Sequence, residues 1–203
     1  MVALVRSVAG LTDAVRGGSR AKFLFFWGHQ PQCDGSAGAG CLSQWWPAPF
    51  SADGLEFLTA EHYMMWRKAV LFGDEAVAAK ILAVAHPHAA KTLGRQVEGF
   101  DEQVWEHHRF DIVVAGAVAK FDQHEELREF LLGTGERVLV EASPVDRVWG
   151  IGLAVQHPHA VDPLQWRGLN LLGFALMQAR TTLRAQASSG PVPGTRFVPP
   201  GRD

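Results

Sequence analysis

Two cysteines in 203 residues are too few to staple a disulfide-rich scaffold. Cys33 and Cys41 flank a Gly/Ala/Ser stretch, and two reduced thiols are expected there. Long apolar runs are also missing. Nothing approaches the roughly 18 residues that a membrane span needs. The N-terminal Met1–Gly10 begins like an export signal, but Arg6 interrupts its apolar stretch almost at once, so a cytoplasmic protein is expected. An excess of one charge is absent as well. Nineteen Lys and Arg against 21 Asp and Glu leave a net charge of −2, which excludes nucleic-acid binding by bulk charge but leaves room for a local phosphate pocket. Tyrosine occurs once, whereas tryptophan occurs seven times. Each indole N–H needs a partner, so seven of them imply a large core, a lined site, or both. A hydrophobic fraction of 47% with 20% charged residues is that of a globular domain.

The pattern predicts a mainly α, single, compact multihelical domain with a few short strands. Residues 1–20 read as a partly helical extension, 21–187 as the domain, and 188–203 as a disordered Pro/Gly-rich tail. A weak helix over 3–16 is expected, then a buried strand from Lys22 to Trp27 and a long loop from Gly28 to Gly40. Helices follow with start and stop signals: Ala60–Phe72 capped by Thr59, one capped by Asp74 and ending before Pro87, and His88 to Arg95. Asp101 to Phe121 is the long helix, with Val104, Trp105, His108, Ile112, Ala115 and Ala119 on one stripe. Glu125–Leu132, a strand over Arg137–Ala142 and a last helix from Leu169 to Ala187 complete the order. Trp27, Trp45, Trp46 and Trp66 are expected as walls and core.

Two segments carry candidate chemistry. In Thr59–Lys68, Glu61 falls in the first helical turn, where the macrodipole favours the carboxylate, and Lys68 lies two turns on along the same face. The same spacing suits a capping Glu and a solvated Lys. In Val138–Gly152 a strand leads into a tight segment holding Asp146 and Trp149. That is a common place for a catalytic acid and equally for an Asx turn beside a core Trp. Two converging carboxyl groups would suit acid/base work on a glycosidic bond. His86-Pro-His88, His107-His108 and His157-Pro-His159 lack the spacing of metal ligands. The glycines of Gly35–Gly40 do not open a helix and make a poor dinucleotide fingerprint. Lys91 and Arg95 stand close enough to hold a phosphate, or to end a surface helix.

In order along Phe23–Leu183, several pieces together resemble the NADAR family, the YbiA-like N-glycosidases. They are Thr59-Ala-Glu61-His-Tyr with Lys68, Ala90–Arg95, Trp105, Lys120-Phe121 and Leu131–Gly135. Leu139–Ser143, Asp146, Trp149–Gly152, Trp166–Gly173 and Leu176-Met177 with Arg180 follow. The resemblance implies a mainly helical fold and cleavage of N-glycosidic bonds, with no cofactor. The implied substrate is a ribosyl phosphate, such as the ribosylamino-pyrimidine phosphates of riboflavin synthesis, or an ADP-ribosyl group on guanine, including that of ADP-ribosylated nucleic acid. By the same resemblance Glu61, Asp146 and Lys68 are candidate catalytic residues. Trp105, Gln44, Trp45, Arg95, Arg67, Trp149 and Asn170 are candidates for binding substrate. The family usually reads Ser-Asn-Phe or Ser-Asn-Trp where this chain has Ser43-Gln44-Trp45, so the amide sits one methylene further out.

Two chemical routes are open at this level. Glu61 and Asp146 with one water can hydrolyse the bond, or a desolvated Lys68 amine can attack the anomeric carbon and form a Schiff base. A non-catalytic module that binds ADP-ribose or a nucleotide is the competing function. Retention of both acids and the lysine argues against it.

Overall fold

The computed structural model describes residues 5–188, so the expected tail lies outside the described residues except for Ser188. Seven α-helices dominate those residues. Helix α1 (Val8–Arg16) starts where Ser7 accepts the Gly10 N–H at 3.1 Å, and it buries Leu11 fully. Strand β1 (Phe23–Phe26) pairs in parallel with β4 (Val138–Glu141), setting Phe26 opposite Glu141. Between them come the hairpin β2 (Phe50–Ala52) and β3 (Leu55–Phe57), then α2 (Ala60–Leu71), α3 (Glu75–Ala83), α4 (Pro87–Gly94), α5 (Glu102–Asp122) and α6 (Glu125–Gly133). Helix α7 (Leu171–Ser188) closes the chain, packing on α5 and β4. None of the described helices is long and apolar enough to cross a membrane.

Most helix starts follow their caps. Thr59, Asp74 and Asp101 each accept a main-chain N–H three residues on. Helix α4 begins earlier than expected because Pro87 takes the first helical position, where its missing N–H costs nothing. His86 Nδ1 then accepts the His88 N–H at 3.1 Å, and His157 does the same for His159 at 3.1 Å. The two His-Pro-His motifs are therefore capping devices. The hairpin was not expected. Asp53 and Gly54 both adopt positive φ (51° and 78°), the backbone that a tight Asp-Gly turn requires.

Two burial expectations are corrected. The inward stripe of α5 runs through Trp105, Ile112, Val113, Gly116, Ala117, Lys120 and Phe121, while Val104, His108 and Ala115 are exposed. The stripe is rotated because Gly116 admits the Tyr63 ring: a Cβ there would sit 2.6 Å from it. The rotation also puts Lys120 in the core. Lys120 Nζ donates to the Cys41 and Ser43 carbonyls at 2.6 and 3.0 Å, and burial pushes its pKa down to about 7. Those bonds pin the segment leading to Gln44 and Trp45. Finally, Trp27 is 62% exposed and forms no part of the core.

Candidate active site

The chemistry-bearing residues converge on a cleft of about 240 Å³ between α2, α4, α5 and the loop after β4. Glu61, Met64, Met65 and Lys68 come from α2, Lys91, Gly94 and Arg95 from α4 and the residue after it, Trp105 and Arg109 from α5, and Asp146, Val148 and Trp149 from the loop.

Glu61 is placed by its backbone. Its N–H, one of the unpaired donors of the first turn, donates to the Gln44 carbonyl at 3.0 Å. The side chain is 3% exposed, and Oε1 is buried without a hydrogen-bond partner. Burial pushes its pKa up to about 7, and the negative Asp146 adds to the rise. Lys91, the Trp45 indole N–H and Arg95 oppose it. The first-turn macrodipole therefore loses to desolvation, contrary to the sequence expectation.

Asp146 sits in the opposite kind of environment. It is only half-buried, and its Oδ1 accepts the Val148 and Trp149 N–H groups at 2.9 and 2.7 Å. Its own N–H donates to Ser143 Oγ at 3.2 Å. The expected Asx turn is present, and the same side chain lines the cleft.

Lys68 is held at the far end of the cleft. Nζ donates to the Gly94 carbonyl at 2.8 Å and lies 4.0 Å from the Phe100 ring centre and 5.8 Å from that of Trp105. Its partial burial lowers its pKa. Gly94 makes this possible, because a Cβ there would collide with Met65 Sδ and drive α4 away from α2.

The substrate-binding candidates divide. Trp105, Arg95 and Trp149 line the cleft. Trp45 points its indole N–H toward Glu61 while its ring borders a neighbouring groove with His29 and His86. Gln44 is buried; its amide reaches Met64 Sδ at 3.5 Å, so it touches the cleft through Met64 and the backbone of Glu61. Arg67 turns away, with its guanidinium 3.3 Å from Asp53 at the hairpin. Arg67 is not among the residues that line the cleft. Asn170 is fully buried; Oδ1 accepts the Glu141 N–H at 3.0 Å and Nδ2 donates to the Leu139 carbonyl at 2.9 Å. It satisfies the edge of β4 that β1 does not cover, which is a structural task rather than substrate contact.

Two charged cleft residues, Lys91 and Arg109, were not among the expected site residues. Lys91 was visible only as half of a generic cation pair. Arg109 lay beside the more conspicuous His107-His108, and its only signal is its place one turn after Trp105 on α5. Lys68, Lys91, Arg95 and Arg109 all line this cleft; Lys91 and Arg95 act on Glu61, while Arg109 is held by Glu106 at 2.9 Å. Among the described residues no group of His, Cys, Asp or Glu is arranged to hold a metal ion.

The sequence pattern of the NADAR domain matches residues 25–184. The chain belongs to the NADAR family. It is 41% identical over 164 residues to an N-glycosidase of Acanthamoeba polyphaga mimivirus, covering 78% of this chain and 95% of that protein. It is 33% identical over 135 residues to the N-glycosidase YbiA of Escherichia coli, covering 66% of this chain and 76% of YbiA. The NMR structure of E. coli YbiA superposes with a TM-score of 0.68 at 27% identity, over 87% of this chain and 94% of that one. The mainly helical NADAR fold expected from the sequence is the fold observed.

Proposed function

We propose that this NADAR protein is an N-glycosidase that hydrolyses the bond between a ribosyl phosphate and a nitrogenous base. The observation that carries the reading is the pairing of Glu61, buried with an unpartnered oxygen, and Asp146, half-exposed and anchored, across one cation-rimmed cleft. The relatives named N-glycosidases support it.

As the C–N bond breaks, its electron pair goes to the departing base nitrogen, and the protonated Glu61 carboxyl supplies the proton. A pKa of about 7 suits that role, because the acid is half-protonated at neutral pH. Water adds to the anomeric carbon and gives its proton to Asp146, whose anchored carboxylate also faces the positive charge developing on the sugar. Trp105 offers a flat face to the base or ribose, and Lys91, Arg95 and Arg109 suit the phosphate. Lys68 supplies the second route. Its amine, desolvated by Phe100 and Trp105, attacks the anomeric carbon as the base leaves with the C–N electron pair and is protonated; the ring oxygen then leaves that carbon, and the resulting Schiff base of the opened sugar is hydrolysed by water to free the lysine.

The substrate is a ribosylamino-pyrimidine phosphate or an ADP-ribosyl group on guanine, free or in nucleic acid. Incubation with both classes, followed by mass spectrometry of free base and sugar phosphate, tests this directly. Release of base from one class supports the reading. Release from neither, with ADP-ribose still bound, makes the protein a binding module. Borohydride added during turnover separates the routes, since only the lysine route leaves a covalent adduct.

A further inference from the structure

Behind the cleft lies a third carboxyl group that the reaction above does not use. Glu141 ends β4, beside Phe26 of β1. Its N–H donates to Asn170 Oδ1 at 3.0 Å and its carbonyl accepts the Ile151 N–H at 2.9 Å, so its backbone is fixed on both sides. Gly150 lets the Asp146 loop close onto this strand end: a Cβ at 150 would come within 2.8 Å of the Glu141 carbonyl and 3.0 Å of the Ser143 side chain. Strand end and loop are thus packed closely, with Glu141 at their junction. Its Oε2 is buried and has no hydrogen-bond partner.

The charged groups facing it come from three elements: Asp146 from the loop, Lys91 from α4 and Glu61 from α2. Strand β1 brings Phe26, and the residue before α7 brings the uncharged Asn170. Two further carboxyl groups, Asp146 and Glu61, and one lysine, Lys91, therefore act on Glu141. Like charges confined in this way cannot all ionise together at neutral pH.

We propose that Glu141 is a positioning residue that acts through Asp146 and Glu61 by holding a proton behind them. The proposal rests on reading those two as the reacting pair. Burial first, and then Asp146, raise the Glu141 pKa to about 8, with Lys91 opposing and Glu61 adding to the rise. At neutral pH the group is uncharged, behind the lining of the cleft. Once it ionises, it sets a third negative charge against the pair and competes for Lys91, which leaves the cleft with less positive charge for a phosphate.

The test is the alkaline limb of log kcat/KM. Two groups must keep their protons, Glu61 and Glu141, so the wild-type limb steepens above pH 8 toward a slope of about −2. In Glu141→Gln the amide stays neutral and the slope stays at about −1. A merely structural role would lower the rate by a constant factor and leave the slope alone. Side-chain 13C NMR of glutamate-labelled wild-type protein needs neither the variant nor a substrate. It should show two glutamate carboxyls titrating above pH 6, coupled to each other. A single such carboxyl, or equal limb slopes in wild type and variant, overturns the proposal. If both carboxyls titrate but neither substrate class releases base, the shared-proton cluster stands and the N-glycosidase reading falls.

Discussion

Glu61 and Asp146 face the same cleft, yet the fold holds them in opposite ways. Glu61 is on a helix, sealed from water, with a buried oxygen that has no hydrogen-bond partner. Asp146 is on a loop, partly wet, with an oxygen that accepts two main-chain N–H bonds. The difference shows how one protein makes an acid and an acceptor from the same functional group. A helix N-terminus favours a carboxylate by ~0.3–1 kcal/mol, which is less than one pKa unit. Burial moves Glu61 from an ordinary 4.5 to about 7, so desolvation decides its state. Asp146 keeps solvent and receives charge-matched donors, the arrangement that suits a group carrying negative charge.

The largest expected effect follows from that contrast. Glu61→Gln should lower kcat/KM by ~10²–10⁴-fold and remove the ionisation near pH 7 from the pH profile. Asp146→Asn should cost a similar factor, but its profile should keep that ionisation at a lower pH, because the charge that helps raise Glu61 is gone. Equal profiles for the two variants would erase the distinction between them. The same contrast predicts stability. A carboxyl whose folded pKa exceeds its unfolded value binds more protons when native, so stability is fullest below about 4.5 and declines as pH rises through about 7. Thermal melting of wild type should therefore weaken between pH 5 and pH 8, and Glu61→Gln should flatten part of that decline. A melting temperature that rises over this interval in wild type and not in the variant would reverse the sign.

Much of this was legible in the chain. Capping residues and stop signals located the long helices, and Glu61, Lys68, Trp105, Asp146 and Trp149 do meet at one cleft. What stayed hidden depends on three-dimensional partners. A lysine in the last turn of α5 looks like a surface residue until Cys41 and Ser43 are seen to offer it carbonyls. The Asp53-Gly54 turn carried its own hairpin signal, but the flanking strands have only three residues each and a weak period. Glu61's burial was invisible because periodicity says which face is apolar, not whether a first-turn acid points into it.

Asn170 was expected at the substrate and is found bridging the backbone of β4. Replacing it with Ala leaves a buried N–H and a buried carbonyl unpaired at the strand end that leads to Asp146, at a cost of ~1–3 kcal/mol each. Asn170→Ala should melt well below wild type. The folded fraction should keep its KM, since no substrate contact is lost; a raised KM with unchanged melting would return Asn170 to the binding surface.

The smallest effect belongs to a pair of arginines on different faces. Arg109 lines the cleft with its side chain 11% exposed and held by Glu106 at 2.9 Å, whereas that of Arg67 is 38% exposed and pairs with Asp53 outside the cleft. Arg109→Ala should raise KM by ~10-fold with little change in kcat, the signature of lost ground-state binding to a phosphate. Arg67→Ala should leave KM alone and cost ~0–1 kcal/mol of stability, the ordinary worth of an exposed ion pair. A wild-type KM in Arg109→Ala together with a raised one in Arg67→Ala would mean that the phosphate binds on the hairpin side of α2. Glu61 and Asp146 would then have to reach across the helix to act on the same ligand, and the cleft described here would be the wrong one.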